Sequence, residues 1–173
     1  MFFDGHAFIG PGGDYRIPNV FDNLIYRREM PVTIGVFVNP GNRPDQKPSS
    51  DQDWGDDINN RGIEYNALDD TYTKLVANEL LPAVEASYKI SPNPDDHLIG
   101  GASSGAICAF TVAWHRPDLF HKVVSIIGSF TNIRGGDAYP DIILHADKKP
   151  LRVFLQDGVN DNRGMRGGVY DPR

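Results

Sequence analysis

Between His97 and Phe110 the chain reads HLIGGASSGAICAF, and this stretch restricts the possible folds more than any other. Two apolar residues, Leu98 and Ile99, lead into Gly-x-Ser-x-Gly over positions 101–105, and a helix-compatible run from Ala106 to His115 follows at once. A serine between a strand and a helix must sit on a sharp turn in a strained backbone conformation. The residues two before and two after it crowd each other, so both must be small, as Gly101 and Gly105 are. Such a turn lifts the Ser103 hydroxyl above the sheet edge. It also aims the first amides of the helix at the same point, where a developing oxyanion can be held. Gly-x-Ser-x-Gly alone also fits an ordinary glycine-serine loop. A phosphate-cradling turn is the other rival, but no Lys-Ser/Thr pair follows the glycines and no GxGxxG occurs. The strand before and the helix after make Ser103 the candidate nucleophile.

The remainder alternates strand and helix signals. Met1 to Phe3 reads as the end of a strand, and Asp4-Gly5-His6 as a loop. Pro18 to Arg28 carries Phe21, Leu24 and Ile25 on one face, with Pro18 suited to a first helical turn. Val32 to Val38 is a β-branched run expected to be a strand buried on both faces. Asn39 to Asn60 is polar and aperiodic, a long excursion at the carboxyl end of that strand. Leu68 to Tyr88 is helical by spacing, with Asp69 or Asp70 to cap it and Pro82 predicting a break near Leu80. Val123 to Ile127 and Leu151 to Leu155 read as further strands, with a loop and short helix from Gly135 to Asp147 between them. Apolar strands separated by helices predict an α/β fold, a mostly parallel sheet covered by helices on both faces.

At 173 residues the chain makes a single domain, spanning 1–173. A formal charge of −6 without a Lys/Arg-rich block argues against nucleic acid, and no apolar run is long enough to cross a bilayer. Cys108, the one cysteine, can form no internal disulfide and reads as a small packing residue. A serine nucleophile needs an acid and a base downstream in this architecture. Asp157 and Asp161 both follow the last strand. Asp157 beside Gly158 also suits a turn, whereas Asp161 lies further into the loop and can reach toward a histidine. Trp54, the large aromatic of the long excursion, is either a substrate contact or an anchor for that loop.

The segments FFDGHAF, PNVFDNLIYRREMPVTIGVFVNPG, IGGASSGAICAF and RVFLQDGVNDNRG resemble the putative esterase family of α/β-hydrolases. That family includes enterochelin esterases, feruloyl esterases, S-formylglutathione hydrolase and the antigen 85 mycolyltransferases, and the resemblance is to its enterochelin esterase-like group. It implies hydrolysis of a carboxylic ester, of a small molecule or a glycoside, with neither metal nor organic cofactor. Carried onto this sequence, it makes Ser103 the nucleophile and Asp161 the acid. The Asp4-Gly5-His6 loop would supply the second oxyanion donor, so that the amides of His6 and Ser104 form the hole, with Asp4 and Gly5 at the substrate. The family histidine follows the acid, but here no histidine follows His145. The expectation is therefore the central part of a longer esterase, truncated at both ends and without its base, or a catalytically inactive binding or structural module. A second copy of the chain is a further candidate partner.

Overall fold

Five parallel strands form one sheet, and the turns that leave their carboxyl-terminal ends lie together along one edge. The computed structural model describes residues 1–46, 60–131 and 135–158. Its strands are β1 (Phe2–Phe3), β2 (Phe37–Val38), β3 (Leu98–Ala102), β4 (Lys122–Ile126) and β5 (Arg152–Gln156), in the spatial order β2-β1-β3-β4-β5. All four pairings are parallel, and β3, β4 and β5 run in register from Leu98–Lys122–Arg152 to Ala102–Ile126–Gln156. Parallel neighbours require crossovers, and the intervening helices supply them.

Helices cover both faces of the sheet centre. On one side, α1 (Gly5–Ile9) and α2 (Ile17–Tyr26) enclose a small cluster of Phe2, Phe8 and Ala102, joined by Phe21 and Phe37. The other side holds the main core, with α3 (Arg61–Tyr65), α4 (Thr71–Leu75), α5 (Leu81–Glu85) and α6 (Ser104–His115) over Phe3, Ile99 and Val123. A last helix, α7 (Tyr139–Leu144), packs Tyr139 edge-on against Phe110. Helix α6 is buried from Ser104 to Ala113, as its nearly unbroken apolar sequence requires. Cys108 lies within it at 1 % exposure, and burial pushes its thiol well above the usual range, so it packs and does not react.

Three expectations change. The Asp4-Gly5-His6 stretch is not a loop but the entry to α1, which Asp4 opens in the left-handed conformation. The run Val32–Val38 contributes only Phe37–Val38 as an edge strand, with Val32 89 % exposed and Ile34 38 %. β5, at the opposite edge, leaves Phe154 and Leu155 exposed on alternate faces. Apolar composition fits either position; what separates them is whether a second strand lies alongside, and for β2 and β5 none does among the described residues. The break at Pro82 is present in a specific form. Val76–Leu80 is a π-helical turn, closed by the Leu81 N–H on the Val76 carbonyl, and Pro82 follows in the first turn of α5. Widening the helix ahead of proline accommodates a residue that can neither donate to the fourth carbonyl back nor clear it. The cap on α4 comes from Asp69, whose Oδ1 accepts the Thr71 N–H at 2.9 Å.

Candidate active site

Ser103 joins β3 to α6 with φ 54° and ψ −120°, a backbone region that residues other than glycine rarely occupy. The turn is possible because nothing projects from its flanks. A Cβ on Gly101 would stand 2.5 Å from the Gly105 carbonyl carbon and oxygen, and one on Gly105 would stand 2.7 Å from Asp4 Oδ2. A side chain at 101 would thus meet the Gly105 backbone, as expected, whereas one at 105 would meet Asp4 first. Main-chain bonds hold the turn from each side. The Ser103 N–H donates to the Ile126 carbonyl at 3.0 Å, and its own carbonyl accepts from Ala106 at 3.1 Å and from Ser129 at 3.3 Å.

Strain is concentrated here. Asp4, Ser103 and Ile127 all have positive φ, and they stand just past the ends of the neighbouring strands β1, β3 and β4. Left-handed conformations at three adjacent strand ends mark a shaped site, since each costs about 1–3 kcal/mol that the surroundings must hold in place. Ser103→Gly should release that strain, whereas Ser103→Ala keeps it. Allowing about 0.5–1 kcal/mol for the extra freedom of glycine in the unfolded chain, the glycine variant should exceed the alanine variant by about 1 kcal/mol. Chemical denaturation of the two proteins measures this directly, and equal midpoints would mean the turn is unstrained.

The Ser103 hydroxyl lies 3.2 Å from that of Ser129, a buried residue carried by the turn after β4. Ser129 went unnoticed in the sequence because Gly-Ser-Phe after a strand looks like any turn. Ser104 opens α6, whose positive end faces the site. The His6 N–H donates to Asn39 Oδ1 at 2.9 Å, and the same oxygen stands 2.9 Å from His6 Nδ1. Gly5 has no room for a side chain, as its Cβ would lie 2.6 Å from the Phe37 carbonyl carbon and the Val38 nitrogen. Asp4 is turned inward, against the expectation of a substrate contact. It is fully buried and its carboxylate takes both arms of Arg61, Nε to Oδ1 and Nη2 to Oδ2, each at 2.9 Å.

Arg61 was also missed. Its partner Asp4 lies fifty-seven residues earlier in the chain, so no local pattern marks it. Asp161 and Trp54 lie outside the described residues. Asp157 is exposed past β5, with Oδ1 accepting the Gly158 N–H at 2.9 Å, as a turn residue does. Each of the five histidine rings has a partner other than Ser103: His6 at Asn39, His97 at the Leu119 and Ser91 carbonyls, His115 at the Leu68 carbonyl, His121 at Asp95, and His145 at Asp141. A cavity of about 500 Å³ lies at the other end of the strands, between Phe2, Phe21, Val32, Leu98 and Phe120. Among the described residues no group of three or more His, Cys, Asp or Glu side chains is placed to hold a metal ion, and no helix is long and apolar enough to cross a membrane.

The family model described as Putative esterase matches residues 2–164. The chain belongs to this esterase family. Among curated members, the iron(III) enterobactin esterase of Escherichia coli (strain K12) is 25% identical over 153 residues, covering 85% of this chain and 34% of that protein. The uncharacterized protein YbbA of Bacillus subtilis (strain 168) is 21% identical over 147 residues, covering 83% of this chain and 56% of that one. Two crystal structures from Shigella flexneri share the fold. Enterochelin esterase superposes with a TM-score of 0.65 at 21% identity, over 88% of this chain and 36% of its own. Enterobactin esterase FES in the presence of enterobactin gives 0.64 at 20%, over 88% and 35%. The esterase-family chain thus spans between about a third and just over half of the proteins it matches. The α/β-hydrolase fold is what it has in common with them.

Proposed function

We propose that this chain carries the nucleophile and oxyanion machinery of a serine esterase acting on a small-molecule carboxylic ester. The observation that carries the reading is the conformation of Ser103, held at φ 54° and ψ −120° between β3 and the amino end of α6. Ser103 Oγ attacks the ester carbonyl carbon and passes its proton to a base. The carbonyl oxygen becomes an oxyanion held by the amides of Ser104 and His6, the latter exchanging Asn39 Oδ1 for the substrate. Collapse expels the alcohol, which takes the proton from the base. Water then repeats the sequence on the acyl-enzyme and releases the acid.

Asp161 is the orienting carboxylate in this scheme, and the base it orients is a histidine. Trp54 is the proposed aromatic contact to the substrate. Relatives named as enterobactin esterases favour an ester of that kind over an acylated glycoside. A second reading, an inactive hydrolase-fold module that binds its ligand without cleaving it, is favoured by the Ser103 hydroxyl resting on Ser129 and not on a base.

Hydrolysis of p-nitrophenyl acetate with added imidazole separates the two. Imidazole can stand in for the base, so the wild-type rate minus that of Ser103→Ala should rise with imidazole and be at least tenfold above its value in plain buffer. Equal rates for the two proteins at every imidazole concentration would leave only the binding-module reading.

A further inference from the structure

We infer that Arg61 is a positioning residue for this site, holding the nucleophile turn and the Asp4–His6 entry to α1 in one frame through Asp4 and Ala102. The inference rests on Ser103 being the nucleophile. Helix α3, Arg61–Tyr65, is a single short turn, yet three of its five side chains reach three different strand ends. The Arg61 side chain, 5 % exposed, forks onto Asp4 with both contacts at 2.9 Å, and its Nη2 also stands 3.4 Å from the Ala102 carbonyl. Asp4 directly precedes the Gly5 and His6 amides. Ala102 directly precedes Ser103. One rigid planar cation therefore spans the two backbone segments whose separation sets the oxyanion hole, a distance that catalysis needs held to a fraction of an ångström.

The other two side chains complete the frame. Glu64 accepts the Gly41 N–H at 3.0 and 3.2 Å, two residues beyond Asn39, whose side chain holds the His6 amide. Burial raises the Glu64 carboxyl, and the Gly41 amide opposes that shift. The Tyr65 hydroxyl donates to the Val38 carbonyl and accepts the Asp4 N–H, each at 3.4 Å. Asp4 Oδ2 in turn occupies the space that a side chain on residue 105 would take. A lysine at position 61 would keep the charge but not the fork, so it could not hold Asp4 and Ala102 together.

The test compares wild type with Arg61→Lys by three readouts: the thermal midpoint, amide hydrogen exchange, and the rate of Ser103 phosphonylation by a fluorophosphonate in imidazole. A positioning role predicts phosphonylation at least tenfold slower. It also predicts exchange at least tenfold faster at Asp4–His6 and Ser104, while Lys122–Ile126 exchanges as before. Unchanged phosphonylation with unchanged exchange overturns the inference. So does exchange that rises equally in both segments in step with a lowered midpoint, since Arg61 would then support only the global fold. If wild type takes no phosphonate, the nucleophile reading fails by itself and the exchange pattern alone decides for or against positioning. If Arg61→Lys does not fold, Asp4→Asn/Arg61→Gln carries the same readouts, because it leaves no unpaired buried charge.

Discussion

Arg61→Met is expected to lower the unfolding free energy by about 3–5 kcal/mol, the cost of leaving a fully buried carboxylate without its cation. Asp4 has no route to solvent, and Arg61 is itself only 4 % exposed, so neither group can recover hydration if the other is removed. Set against a typical domain stability of about 5–15 kcal/mol, the single change takes a large share. The pair as a unit is a different matter. Two charges out of water gain from each other little more than their desolvation costs, so removing both together should be far cheaper than removing either. Asp4→Asn/Arg61→Met should therefore fall short of the sum of the single changes by about 2–3 kcal/mol in a denaturant double-mutant cycle. Additivity within about 0.5 kcal/mol would mean that the two side chains are not coupled as the 2.9 Å contacts require.

The stability cycle and the positioning role ask different things of the same residue. The cycle reads the electrostatic cost of separating buried charges. Positioning concerns where the amides of His6 and Ser104 stand once the chain has folded, which a stable but loosened variant would reveal.

The Ser103 turn was legible in the sequence because its tightest contact is local: a side chain at 101 would meet the Gly105 backbone four residues on. The core helix α6 was legible for the same reason, since a run as apolar as AICAFTVAW has no surface face to offer. Val32–Val38 and the strand at Arg152–Gln156 were harder, because a β-branched run states that burial is possible and not which neighbours provide it. Arg61 was invisible in a different way. A single arginine after a polar excursion has no period to give it away, and its partner is fifty-seven residues earlier in the chain. The Asn39 side chain that occupies the His6 amide was equally beyond reach, because only the parallel register of β1 and β2 brings the two together.

Phosphonylation of Ser103 is the other large effect, since the expected change on mutation is complete. A fluorophosphonate places its phosphoryl oxygen where an ester oxyanion would lie, so it reacts only where a nucleophile and oxyanion donors converge. Ser103 stands on a strained turn at the amino end of α6, and its hydroxyl needs only a base in place of Ser129. Imidazole supplies that base from solution. Intact-mass measurement of the folded chain with probe and imidazole should show a single adduct, mapped to the Ser103 peptide and absent from Ser103→Ala. A cooperatively folded chain that gains no mass, or an adduct that survives in Ser103→Ala, would contradict the assignment of Ser103 as the nucleophile.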